Sequence, residues 1–273
     1  MDWLESRLIQ LEANERQELE QLLDDAKTAI AFWLARLHAE GWEQDAGFNR
    51  RTERFEAEVY AILALLMAHL TDLFLKYEEA AYRLGYYFTA YQANFRPPLL
   101  DSGVIRGLLQ QPYIDATLAQ RLNDLIMTHL VRFRRQVTQS QIEEESLAQA
   151  TARMNDVEKG LLGALLLLMA SELWRAGNDG IEYAIGVVPE DKTEYASQWV
   201  TANDERVCPI CGMAHMEIAR LGSLFSNGFY RPPAHPKCRC LRRLLVRVSI
   251  ELGYNDWAYV MVITSEEDGT KQK

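Results

Sequence analysis

All four cysteines of this 273-residue chain fall in two short runs, VCPIC at 207–211 and PPAHPKCRC at 232–240. Each run contains a ligand-Pro-x-ligand step, Cys208-Pro209-Ile210-Cys211 and His235-Pro236-Lys237-Cys238. A tight knuckle of that form can aim two side chains at one tetrahedral ion. Zinc needs four soft or borderline donors at about 2.0–2.3 Å, and thiolate and imidazole supply them. The candidates are Cys208, Cys211, His215, His235, Cys238 and Cys240. The matched knuckles favour Cys208, Cys211, His235 and Cys238. In the alternative set Cys240 replaces His235, and the ion is held by four thiolates. His215 is the weakest donor, since it sits among Met213, Met216 and Ile218 in what reads as a helical turn. The same residues also admit a buried thiol cluster or a disulfide.

A hydrolytic zinc needs an open coordination position and a carboxylate base. Only Asp204, Glu205 and Glu217 are near in sequence, while protein donors are in surplus, so the expected site is closed and structural. His38-Ala39-Glu40 spells the H-x-E of zinc deaminases, but the proline lies inside the cysteine pair instead of before it, and the gap is far too long. The chain has no phosphate loop ending in Lys-Ser or Lys-Thr, no G-x-S-x-G elbow and no H-E-x-x-H. A catalytic site is therefore not expected.

The elements that must carry these residues change character along the chain. Up to about 176 the apolar residues recur at helical spacing, as in Leu19, Leu22, Leu23, Ala26, Ile30, Trp33, Leu34 and Leu37. Asn14 reads as an N-cap and Gly41 as a stop. Further helices are expected from Thr52 to Tyr91 with a weak point at Gly85, from Pro112 to Phe133, and from Glu143 to Ala176, with a break at Pro97-Pro98 and Gly103. His69 and His129 fall in apolar stripes and read as core histidines. The apolar runs Val59–Leu70 and Gly160–Ala170 are flanked by charge short of the roughly 20 residues of a membrane span, and read as core helices. Gly177-Asn178-Asp179-Gly180 then reads as a break. Beyond it 181–188, 198–201, 244–250 and 258–264 have the β-branched and aromatic texture of short strands. The expected fold is a mostly α N-terminal body at 1–178, a small C-terminal α+β module at 179–264 stapled by the Cys/His cluster, and a polar tail at 265–273.

Charge follows the same division. Between Arg206 and Arg247 there are eight basic residues and one acid, a net of +7, which leaves −17 on the rest of a chain whose total is −10. A basic tip on an acidic body points to an anionic partner, either DNA or an acidic protein surface. Arg239, Arg242, Arg243 and Arg247 are the expected contacts. The opening residues 1–8 have neither the basic start nor the apolar core of a secretory signal. A reducing compartment, where clustered thiols hold metal more often than they pair, is the expected setting.

From Trp199 to Cys211 (WVTANDERVCPIC) and from Phe229 to Leu244 (FYRPPAHPKCRCLRRL) the chain resembles the Mu F-like minor head proteins of tailed phages, also called phage head morphogenesis proteins. The matching positions are Trp199, Thr201, Asp204, Arg206, Cys208, Cys211, Pro232, Pro233, His235, Cys238, Arg239 and Cys240. The resemblance implies a structural virion component, without enzymatic activity, at the portal vertex or in the capsid interior, present in several copies and assembled in the host cytoplasm. It implies the portal and other head proteins as partners, with packaged DNA a further one, and a part in head assembly and DNA packaging or ejection. Two other readings are a delivery module of an enzyme or toxin system, which would carry a fused catalytic domain, and a zinc-dependent nucleic-acid-binding protein, which the acidic body argues against.

Overall fold

The computed structural model describes residues 3–41, 48–113, 115–188, 195–202, 204–205, 207–235, 238–249 and 257–260. The chain forms α1 (Trp3–Ala39), α2 (Phe48–Gln92), α3 (Ser102–Leu109), α4 (Leu118–Ile142) and α5 (Leu147–Val187). These are followed by β1 (Tyr195–Val200), the short α6 (Pro209–Met213), β2 (Ile218–Arg220), β3 (Leu241–Ser249) and β4 (Trp257–Val260). The strands make one antiparallel sheet in the order β2-β1-β3-β4. The fold is thus mostly α, with a small C-terminal α+β module around a Cys/His cluster.

Helix boundaries follow local chemistry. Gly41, at φ 95°, stops α1 in the left-handed conformation that suits glycine. Asn14 does not begin a helix, because α1 runs through it without interruption. Helix α4 starts later than Pro112 suggested. Thr117 caps it, its hydroxyl accepting from the Gln120 N–H while the Gln120 side chain accepts from the Thr117 N–H. The expected strand at 258–264 is present as β4, and positions 261–264 and the tail at 265–273 lie outside the described residues.

Residues 10–77 and 106–172 make one compact unit, and 1–9, 78–105 and 173–273 make the other. In the first, Leu23, Ile30 and Leu34 of α1, Leu63 and Leu66 of α2, Phe133 of α4 and Leu161 of α5 are buried. His129 is buried as expected, with Nδ1 2.8 Å from the Leu125 carbonyl oxygen, whereas His69 is exposed. Segments Arg50–Gln92 and Leu147–Val187 are apolar and long enough to cross a membrane by length and composition, and 39 % and 50 % of their most apolar windows are buried within the fold.

In the second unit the sequence reading needs correction. Helix α5 does not end at Gly177-Asn178-Asp179-Gly180 but continues to Val187, so the boundary expected at 178 lies inside a helix and 181–187 is helical. These glycines permit a close crossing and are not helix breaks. A Cβ on Gly180 would stand 2.0 Å from the Tyr82 carbonyl oxygen, and one on Gly85 would stand 2.1 Å from that of Gly177. Gly85 is therefore no weak point in α2. The backbones of α2 and α5 meet at these glycines, where a side chain on Gly85 or Gly180 would strike the backbone of the other helix. The body and module of the sequence reading are joined at this crossing, because 78–105 and 173–188 share a unit with the sheet.

Candidate metal centre

The first knuckle is one turn of helix. Pro209 occupies the first turn of α6, where its fixed φ costs no hydrogen bond, and Cys208 caps that turn, its Sγ accepting from the Cys211 N–H at 3.3 Å. The second knuckle closes similarly, with the Cys238 N–H donating to the His235 carbonyl oxygen at 3.1 Å. From Cys238 the chain passes through Cys240 directly into β3.

The two knuckles meet. Cys208 Sγ lies 2.9 Å and Cys211 Sγ 3.3 Å from His235 Nε2, and Cys211 Sγ lies 3.7 Å from Cys238 Sγ. Zinc–sulfur bonds of about 2.3 Å at tetrahedral angles set two sulfurs about 3.8 Å apart, so the sulfur pair is at ligand spacing. The donors form two overlapping triads, Cys208-Cys211-His235 and Cys211-Cys238-Cys240, each with its atoms within 4.8 Å of one another. All four thiols are free, so the disulfide reading does not hold. The cluster can hold a metal ion. Both ligand sets read from the sequence are drawn from these five residues, and Cys211 is the donor common to both triads. His215 stands apart, its Nδ1 accepting from the Thr201 N–H at 3.3 Å.

Cys211, Cys238 and Cys240 pack with Trp199, Ala214 and Phe225 in one buried cluster. Phe225 meets Trp199 edge-on, with ring centroids 5.3 Å apart. Burial pushes the Cys211 thiol up. Cys240 is raised because it donates to Cys238 and is buried, and the same hydrogen bond brings Cys238 down to about 5. At neutral pH the metal-free site therefore keeps protons on Cys211 and Cys240, and an ion must displace those of the thiols it takes. Metal binding is expected to release protons at pH 7, and affinity should fall on acidification, most steeply below about 5 where Cys238 also becomes a thiol. Proton release in weakly buffered calorimetry and competition with a chelator across that range measure both effects. A pH-independent affinity would show that these thiols are not the ligands.

The sequence reading missed what holds this centre to the helices. Asn178 of α5 is fully buried. Its side-chain amide donates to the carbonyl oxygens of Trp174 (2.8 Å) and Cys240 (3.0 Å), and its Oδ1 accepts from the Arg242 N–H at 2.9 Å. One side chain thus satisfies two backbone groups flanking the start of β3. Beside it, the Asp179 carboxylate receives Arg175 at 3.1 Å and Arg231 at 2.6 Å, and Arg175 also reaches the buried Glu78 at 3.4 Å. The available signal was a polar pair between two glycines after a long apolar run, which reads as a loop unless the glycines are recognised as a crossing. Asn178→Ala is expected to destabilise the protein by about 3 kcal/mol, since it strands a buried amide and a buried carbonyl. The measurement is the urea midpoint, and an unchanged midpoint would show the clamp is incidental.

The basic tip also needs correction. Arg242 is 5 % exposed and its guanidinium pairs with Glu182, so it does not present charge to DNA. Arg239 pairs with Asp204 at 2.5 Å, and Arg231 with Asp179. Arg243 is half-buried, with Nη1 3.3 Å from Gln198 Oε1. The side chain of Arg247, like Arg206 and Lys237, lies outside the described residues. Charge counted along the sequence overstates what the tip offers, because Asp179 and Glu182 of α5 neutralise part of it.

Compared with protein families, with curated proteins and with solved structures, the chain gives no match.

Proposed function

We propose that this chain is a minor head protein of a tailed phage, a structural component met at the portal vertex or in the capsid interior, whose C-terminal module is stapled by one zinc ion. The observation that carries this reading is the convergence of the CPIC and HPKCRC runs on one buried cluster. Other positions of the resemblance serve the same centre. Trp199 packs in its core, and Asp204 pairs with Arg239 between the ligand residues Cys238 and Cys240. Zinc suits the donor set, since thiolate with one imidazole at tetrahedral spacing is a common structural site. The surplus of protein donors, three of them buried, supports a structural role over a hydrolytic one. Five candidate donors for four places means that one of them serves in support. The surrounding helices offer wide faces for docking to head proteins.

The experiment is mass spectrometry of purified virions and empty heads, with elemental analysis of the isolated protein. The expected result is peptides of this chain in both particles and about one zinc per chain in protein purified without added metal. Absence from particles overturns the head assignment. Four freely titratable thiols in metal-free native protein overturn the zinc.

A further inference from the structure

The residues between the two knuckles carry a surface that the metal centre does not use. Ile210, Met213, Met216, Ile218, Leu224 and Tyr230 are large, apolar and exposed, with Met213 at 66 %. They are held by the buried cluster from behind. Ile210 and Met213 lie three apart on α6, outward of Cys211, which faces in. On β2, the outer strand of the sheet, Ile218 and Arg220 are exposed while Ala219 packs on the cluster. The loop bearing Leu224 and Tyr230 is tied down twice. The Glu217 carboxylate accepts the Ser226 N–H at 2.9 and 3.0 Å, and the Phe225 N–H donates to the Phe229 carbonyl oxygen at 2.9 Å, with Phe225 buried against Trp199.

The charge of this stretch says what would cover it. Between 210 and 230 the acidic and basic residues are Glu217, engaged by Ser226, His215, engaged by Thr201, and Arg220. Arg220 is exposed, and no carboxylate among the described residues pairs with it. Methionine, aromatic residues and an arginine, with acids nearly absent, make the composition of a protein-interface core. Nucleic acid would require free cations around the patch, yet among the described residues Arg231, Arg239 and Arg242 are committed to internal carboxylates.

We propose that 210–230 form a docking surface for another protein whose contacting face is apolar and places a carboxylate opposite Arg220. The proposal rests on the head-protein reading only for where that partner is met. Placed on a preformed surface, such contacts need little ordering on binding.

The test replaces Met213 with the photo-cross-linker p-benzoylphenylalanine in the full chain, in cells where the encoding phage assembles, with Leu99, 90 % exposed and outside the patch, as the control position. The expected product is an adduct to a peptide of a different protein that combines apolar residues with Asp or Glu. Its yield should fall about tenfold with Arg220→Glu and return when that carboxylate is changed to Lys. Metal content is measured in each variant, and Ile218 serves as a second cross-linking position should the first lose metal. Adducts mainly to DNA, adducts only to a second copy of this chain, or no yield above that at Leu99 each overturn the proposal. Particles that contain the chain but give no adduct overturn the docking surface and leave the head reading standing. An Arg220-dependent adduct to a protein absent from heads does the reverse.

Discussion

Cys211→Ser is expected to abolish metal retention and to open 195–249 to protease, while the far-UV signal of the long helices changes little. Cys211 is the donor shared by both triads, so its loss reduces them to the pairs Cys208–His235 and Cys238–Cys240, with no group of three close donors left among the described residues. Structural zinc contributes apparent binding free energies of about 10–16 kcal/mol in small modules, and that energy is folding energy for the segment that carries the ligands. The buried cluster of Trp199, Phe225 and the cysteines is small, and without the ion it has few apolar contacts to hold the two knuckles together. Cys208→Ser and Cys240→Ser each remove a donor from one triad only and should weaken retention without eliminating it. Limited proteolysis with elemental analysis separates the variants. A Cys211→Ser protein that keeps its metal and its protease resistance would falsify the structural role.

Gly180→Ala is expected to destabilise the protein by about 3 kcal/mol, although in an ordinary helix the same change gains up to about 1 kcal/mol. The added carbon would meet the Tyr82 carbonyl oxygen at 2.0 Å and the Tyr86 nitrogen at 3.0 Å, both backbone atoms that no rotamer change can move. The crossing of α2 and α5 would have to open, and the Asn178 clamp on β3 lies two residues away. Gly163 and Gly186 of the same helix provide the contrast, for a Cβ at either has no atom within 4 Å. Alanine at those two positions should be neutral or stabilising. Chemical denaturation of the three variants measures the difference, and equal midpoints for Gly180→Ala and Gly186→Ala would show that the crossing tolerates a methyl group.

The Cys/His cluster was legible because its chemistry is local: ligand-Pro-x-ligand fixes a turn, and two such turns can offer their side chains to one ion. The helical body was legible for the same reason, since spacing of Leu and Ile along one face is a property of the segment itself. Misreadings arose where the deciding partner is remote in sequence. Gly177 and Gly180 look like breakers until Tyr82 and Gly85 are brought against them, and 181–187 looks like a strand because its β-branched and aromatic residues pack there as a helix. Arg242 looks like a DNA contact until Glu182 neutralises it across the α5–β3 contact. Helix α3 went unseen because eight residues after a Pro-Pro pair carry too short a pattern to distinguish from a loop.

The discontinuous make-up of the second unit has a consequence for synthesis on the ribosome. Leu8, near the start of the chain, packs within 3.4 Å of where a Gly177 Cβ would stand, so residues 1–9 find their place only after 173 onward has been made. At about 5–20 residues per second, that interval is on the order of ten seconds. The other unit, built from 10–77 and 106–172, has its whole sequence available earlier. Its completion precedes that of the unit bearing the cysteines, and the thiols leave the ribosome last of the site's supporting parts. Capture of an ion by the cluster would therefore come at the end of assembly, after the turn of α5 that carries Asn178 exists to hold the start of β3. A chain terminated at 178 would end on Asn178 itself, its side chain left without the Cys240 carbonyl and the Arg242 N–H that it clamps.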